Sequence, residues 1–214
     1  MLKSKFALFG AILLTTTSTF AQDVKDIFER KTKVTWLGID LTGAKFIGDR
    51  ERFGSTSDVM HLMESWNDLM LKEHDKFNVK SAIQKDALDE GLDVAKDHNA
   101  SLDISEMFSN DENDHNHLRE NDIASIIADY DFKKNTGIGI IFNVESFNKL
   151  KDEASVWVTF VNMDTKEVLF TERVTGGPGG VGLRNYWANA IYDIINKIKR
   201  KEFENWKKKY YRKF

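Results

Sequence analysis

Apolar residues recur along this chain with two different periods, and the switches between them mark out the elements. Residues 33–41, Lys-Val-Thr-Trp-Leu-Gly-Ile-Asp-Leu, are rich in β-branched and aromatic types and predict a first strand. A loop with Gly43, Gly48 and Gly54 follows. From Ser57 onward Val59, Leu62, Met63, Trp66 and Leu69 fall at helical spacing, which predicts an amphipathic helix with Ser57 as its N-cap. Between Phe77 and Leu102 the pattern weakens, with Val79 to Ile83 reading as a short strand and Leu88 to Ala95 as a faint helix. The stretch 109–117, Ser-Asn-Asp-Glu-Asn-Asp-His-Asn-His, is wholly polar and predicts a solvated loop. A second helix is expected through Leu118, Ile123, Ile126, Ile127 and Tyr130.

The last third is the most strongly patterned. Ile138 to Val144 is nearly continuous in apolar residues, as in a strand covered on both faces. Val156 to Met163 and Val168 to Val174 predict two more strands, joined at hairpin spacing by Asp164-Thr165-Lys166. The glycine run 176–182 leads into a helix whose Trp187, Ile191, Ile194 and Ile198 share one face. The expected architecture is α/β (or α+β): a mixed sheet of four to five strands, an antiparallel carboxy-terminal meander and about three packed helices. No internal repeat or linker divides it, so residues 22–204 read as a single domain, with 205–214 as a basic, aromatic tail.

The first 21 residues follow a different pattern. Lys3 and Lys5 precede the apolar run Phe6 to Leu14, and Thr19-Phe20-Ala21 closes the segment before Gln22. That order predicts a secretory signal cleaved near Ala21, and the apolar core is shorter than the roughly 20 residues a membrane-spanning helix needs. The mature chain is therefore expected in the periplasm or another exported compartment, with no transmembrane segment. With no cysteine anywhere, it rests on packing rather than disulfides, which suits a bacterial envelope.

Charge is unevenly spread. The chain carries −3, and loss of Lys3 and Lys5 with the signal leaves −5. From Lys197 to Phe214 nine basic residues face only Glu202 and Glu204, a balance of +7, so residues 22–196 carry −12. The basic residues of the end are interleaved with Phe203, Trp206, Tyr210, Tyr211 and Phe214. Trp206, Lys207, Lys208, Lys209, Tyr210 and Arg212 are accordingly candidates for contact with an envelope protein or an anionic membrane surface. Export argues against nucleic acid. The alternative is that the closing helix continues here with its basic side in solvent.

Motifs for chemistry are few. Gly177-Pro-Gly179-Gly180-Val-Gly182 matches G-x-G-x-x-G, but its strand belongs to a hairpin and no strand follows its helix to complete a dinucleotide-binding unit. A Walker loop is excluded because no Gly-Lys-Ser/Thr follows. Gly177, Gly179, Gly180, Gly182 and Arg184 remain candidates for binding a generic anion or ligand at a helix start. The acidic stretch from Asp111 lacks the glycine at position six and the glutamate at position twelve of an EF-hand loop, and His115 and His117 are two apart rather than three or four. Asp40 and Glu145, each near a strand end, could meet at one rim of the sheet as paired carboxylates do in hydrolases. With no thiol and no Gly-x-Ser-x-Gly elbow, no catalytic residue, metal or cofactor is assigned.

The run Gly139-Ile-Ile-Phe-Asn-Val-Glu-Ser-Phe-Asn-Lys149, followed by Ala154-Ser-Val-Trp-Val-Thr-Phe-Val-Asn-Met-Asp-Thr-Lys-Glu-Val-Leu-Phe170, resembles the strand, hairpin and following helix of small envelope domains of the curli-transport and TolB amino-terminal type. The closing Gly179-Gly-Val-Gly-Leu-Arg-Asn-Tyr-Trp-Ala-Asn-Ala-Ile-Tyr192 is similar to a family of uncharacterised secreted proteins of the Bacteroidota. The resemblance covers about 60 residues. It implies a fold and a compartment and carries over no catalytic residue. The amino-terminal half is longer and more acidic than in those domains, and their lipid-anchor cysteine is absent. The reading is an exported, non-enzymatic envelope domain that binds another envelope component. The alternative is a small-ligand-binding protein or hydrolase using the rim near Asp40, Glu145 and the glycine loop.

Overall fold

A computed structural model describes residues 23–211. The expected signal segment, Arg212, Lys213 and Phe214 lie outside them. The described residues form one seven-stranded sheet: β1 (Val34–Asp40), β2 (Lys45–Ile47), β3 (Asp89–Glu90), β4 (Phe108–Ser109), β5 (Ile138–Asn148), β6 (Glu153–Asn162) and β7 (Glu167–Gly176). Five helices accompany it: α1 (Thr56–Lys72), α2 (Val79–Ala82), α3 (Asp93–Asn99), α4 (Glu120–Ala128) and α5 (Leu183–Lys197). Beyond α5 the helix runs on through a π-helical turn (Ile198–Glu202), an α-turn (Phe203–Trp206) and a second π-helical turn (Lys207–Tyr211).

β5 is the axis of the sheet, and all eleven of its residues are buried. Along one side its first half pairs with β1 and its last residues with β2, both parallel; β6 lies antiparallel along the other side. β3 extends β1, β4 extends β2 and β7 closes the far edge. Ile138, Ile140, Phe142 and Val144 alternate onto one face, where they join Met63 and Trp66 of α1 and Trp187, Ile191 and Ile194 of α5 in the main core. Ile141 turns to the other face with Leu37, Val94 of α3 and Ile123 and Ile127 of α4. Helices on both faces explain why β5 reads as an unbroken apolar run.

Three register shifts interrupt this frame, one of them between Phe160 and Val161 in the pairing of β6 with β7. The register of β1 against β5 shifts between Trp36 and Gly38, and Gly38 has φ +100°. A side chain there would place its Cβ 2.5 Å from Asn67 Oδ1, so glycine lets α1 approach the strand. A second shift between Val144 and Ser146 leaves Glu145 as an extra residue on β5.

Several expectations are corrected. The sheet has seven strands rather than four to five, because β2, β3 and β4 are two or three residues long and carry no readable period. An antiparallel meander does not describe the sheet as a whole: four of its six pairings are parallel, and the antiparallel pairings, β5–β6 and β6–β7, are confined to the carboxy-terminal strands. Val79 to Ile83 is the helical turn α2, not a strand, because Asn78 caps it by accepting from the Ser81 N–H at 2.8 Å. The cap of α1 is Ser55 rather than Ser57, in a capping box with Asp58. Leu88 to Ala95 divides into β3 and the start of α3. The polar stretch 109–117 is not wholly solvated, since it holds a 3₁₀ turn with His115 buried.

Candidate functional site

Asp40 ends β1 opposite Asn143 of β5, and both are buried. Its Oδ2 accepts from Asn143 Nδ2 at 2.7 Å. Its Oδ1 accepts from the Thr42 hydroxyl at 2.6 Å and the Thr42 N–H at 3.2 Å, with His98 Nδ1 at 3.4 Å. The Thr42 hydroxyl also meets His98 Nδ1 at 2.9 Å. Asn143 Oδ1 in turn accepts from Thr159, whose hydroxyl bonds Thr171. A buried polar ladder thus crosses four neighbouring strands. Burial pushes the Asp40 pKa up, but the hydrogen bonds from His98, Thr42 and Asn143 outweigh it and hold the carboxyl below its ordinary value. The Tyr130 ring packs on His98 at 4.3 Å. Its buried hydroxyl lies within reach of the Asp40 charge but makes no well-formed hydrogen bond. Burial first, then that charge, pushes its pKa well above the ordinary tyrosine range.

Glu145 is fully buried and fully engaged. Oε1 accepts from the Leu118 N–H at 2.7 Å and Arg173 Nη2 at 2.9 Å; Oε2 accepts from Ser155 Oγ at 2.7 Å and Arg173 Nε at 2.8 Å. Arg173 also donates to the Leu118 carbonyl at 2.7 Å and lies 4.5 Å over the Trp157 ring. Asp40 and Glu145 are on adjoining strands, displaced by roughly two residues, about 7 Å along the strand. They share no hydrogen-bond partner among the described residues and converge on no common space.

A third polar centre was not legible in the sequence. His115 Nδ1 lies 2.8 Å from Ser146 Oγ and Nε2 lies 3.0 Å from Glu153. The connectivity is that of a serine–histidine–acid relay, but Ser146 has no exposed surface and its hydroxyl donates to the His115 carbonyl at 2.9 Å. This group pins the polar loop to the sheet. Among the described residues no group of three or more His, Asp or Glu side chains is placed to hold a metal.

The glycine run stands apart from these centres, on the approach to α5. The Gly177 N–H donates to Asp193 at 3.0 Å and the Gly179 N–H to the Tyr186 carbonyl at 3.1 Å. Gly180 and Gly182 take φ +92° and +79°. Arg184 turns its guanidinium to Asn185 while its carbonyl accepts from the Trp66 indole at 3.0 Å. Burial raises the Asp193 pKa, but the Gly177 N–H and Lys197 outweigh it, so the carboxyl sits below its ordinary value. An incoming anion at Gly177 meets a carboxylate already in place.

In the tail, Trp206 is a correction: the expected contact residue is buried, packed on Phe170 and Phe203. The helix passes residue 205 without a break. Lys209 and Tyr210 both bond Glu172, Tyr210 stacks on Phe170 at 4.5 Å, and the Tyr211 hydroxyl donates to Glu29 at 3.0 Å. Lys207 is half-buried with its ammonium 5.6 Å over the Tyr211 ring, and Lys208 is exposed. No protein-family model matches the chain, and no curated protein matches it significantly.

Proposed function

We propose that this chain is an exported, non-enzymatic envelope domain that binds another envelope component. The observation that supports it is the state of the two carboxylates best placed for acid–base work. Every oxygen of Asp40 and Glu145 accepts hydrogen bonds from the protein itself, and neither side chain reaches solvent. Export follows from the order of residues 1–21, and the resemblance to curli-transport and TolB-type domains points to the same compartment. No helix among the described residues is long and apolar enough to cross a membrane. The test is fractionation of the expressing cell with intact-mass analysis, followed by crosslinking of the tagged mature protein in envelope. Mass beginning at Gln22 and a discrete crosslinked partner are expected; a cytosolic species retaining Met1 to Ala21 would sink the reading.

The hydrolase alternative has one observation in its favour. Asp40 and Thr42 hold Nδ1 of His98, whose side chain is about a quarter exposed, and Nε2 has no hydrogen bond among the described residues, an arrangement like that of an orienting acid behind a general base. Hydrolysis of an ester or glycoside substrate that is abolished by His98→Gln, with the melting temperature unchanged, would favour that alternative.

A further inference from the structure

At the margin of the main core α1 meets α3 across a cleft of about 410 Å³, within the size range of small-molecule sites. Its floor is chemically closed. Asn67 accepts from the Ile39 N–H at 2.8 Å and donates to the Ile39 carbonyl at 2.9 Å; Asn99 donates to the same carbonyl and accepts from the Leu41 N–H, both at 2.8 Å. These two amides cover the edge of β1 beyond its pairing with β3 and spend their polar groups on its backbone, leaving recognition to the walls and mouth of the cleft. The walls are apolar, with Met63, Leu102 and Ile104. At the mouth Met60 is 47% exposed, one of few large apolar side chains left in water, and its thioether adapts to varied shapes.

The charge around these walls is predominantly negative. Glu64, Asp68 and Asp97 line the cleft against a single base, Lys96, which Asp68 holds at 2.7 Å. Lys133 engages Asp97 from outside, and among the described residues Glu64 has only the exposed His61 at 3.8 Å. The lining sums to −2, or −1 with Lys133 counted, inside a body carrying −12, and Glu64 is the lining acid that no Lys or Arg among the described residues pairs. That field repels an anion, leaves a neutral apolar molecule with burial alone, and adds attraction for a cation. We infer that the cleft between α1 and α3 binds a small amphiphilic cation, with its apolar stem between Met60, Met63 and Leu102 and its ammonium toward Glu64. The site is separate from Asp40, Glu145 and the glycine run, and the inference stands whether or not the chain binds an envelope partner.

The test uses mature protein carrying ¹³C-methyl methionine and n-hexylammonium as the probe, with n-hexanol and hexanoate as neutral and anionic counterparts. Saturable shifts of the Met60 and Met63 methyl signals are expected with hexylammonium, at least about fivefold weaker affinity for hexanol and no saturation with hexanoate. Glu64→Gln, at an exposed position on α1, should weaken hexylammonium about threefold or more and leave hexanol unchanged. Raising salt from 20 to 500 mM on the unaltered protein should weaken hexylammonium alone, which tests the charge without any substitution. Equal affinities for hexylammonium and hexanol, no saturation at Met60 and Met63, or equal shifts at Met70, Met107 and Met163 would overturn the inference.

Discussion

Glu145 is a buried carboxylate with one charged partner among the described residues. Arg173, with its side chain 31% exposed, supplies two charge-assisted bonds to it. Arg173→Met removes these bonds and strands the carboxylate. Stranding a buried charge costs roughly 3–5 kcal/mol, and partial solvent access places this case at the lower end. Urea unfolding should show that loss, and the double variant Glu145→Leu with Arg173→Met should recover most of it; a single variant as stable as the parent would refute the pairing. Lys85 gives a pH-dependent counterpart. Its ammonium is buried against the Glu29 and Asp26 carbonyls, and burial pulls its pKa from 10.5 down to about 8, with nearby acids opposing the shift. The unfolded chain then holds the proton more tightly than the folded one. Stability should rise on this account as pH climbs from 8 to 10.5, by on the order of 2 kcal/mol, and stay level below about 8, where both states hold the proton. Unfolding of the parent minus that of Lys85→Met, compared at pH 7.5 and 10.5, isolates the effect from other titrating groups; a flat difference would refute it. At this scale the sequence pointed to Asp40 and Glu145 but not to what surrounds them. Asn143, Thr159, His98 and Arg173 come from distant segments, and only the register of β1, β5, β6 and β7 and the packing of α3 on β1 bring them to the two carboxylates.

Elements that bury a continuous stripe were the legible ones. α5 places Trp187, Ile191 and Ile194 on the sheet, each essentially without exposed surface, as their spacing predicted. Gly176 lets the helix close on β7, because a Cβ there would collide with the Ala190 carbonyl. Ile191→Ala should cost roughly 2–5 kcal/mol, read as a lower urea midpoint with an unchanged slope. A midpoint within error of the parent would mean that this face packs loosely. β2, β3, β4 and α2 were not legible for the converse reason: two to four residues cannot express a period, and their place is set by neighbours. His115 shows the same limit within a polar run. It is buried because Ser146 and Glu153 satisfy both ring nitrogens, a fact that depends on strands 30 residues or more away in sequence.

For the molecule as a whole, the acidic body and basic end are two parts of one packed structure. The final turns lie on Phe28 and Phe170, and Lys209, Tyr210 and Tyr211 engage Glu172 and Glu29 from that surface. Truncation after Asn205 should therefore do two separable things. It removes the buried Trp206, a loss of roughly 3–5 kcal/mol that does not depend on salt. It also removes Lys207, Lys208, Lys209, Arg212 and Lys213, taking the mature chain from −5 to −10 and exposing the body to its own repulsion. That second part is screened, because exposed charges interact over only about 3 Å at 1 M ionic strength against about 30 Å at 0.01 M. Trp206→Ala should accordingly lower the melting temperature equally at low and high salt, whereas the truncated protein should regain part of its loss as salt is raised. If the two variants respond to salt alike, the basic residues take no part in holding the acidic body together. If the truncated protein also keeps its full stability and loses binding to anionic vesicles, the end of the chain is a contact segment after all.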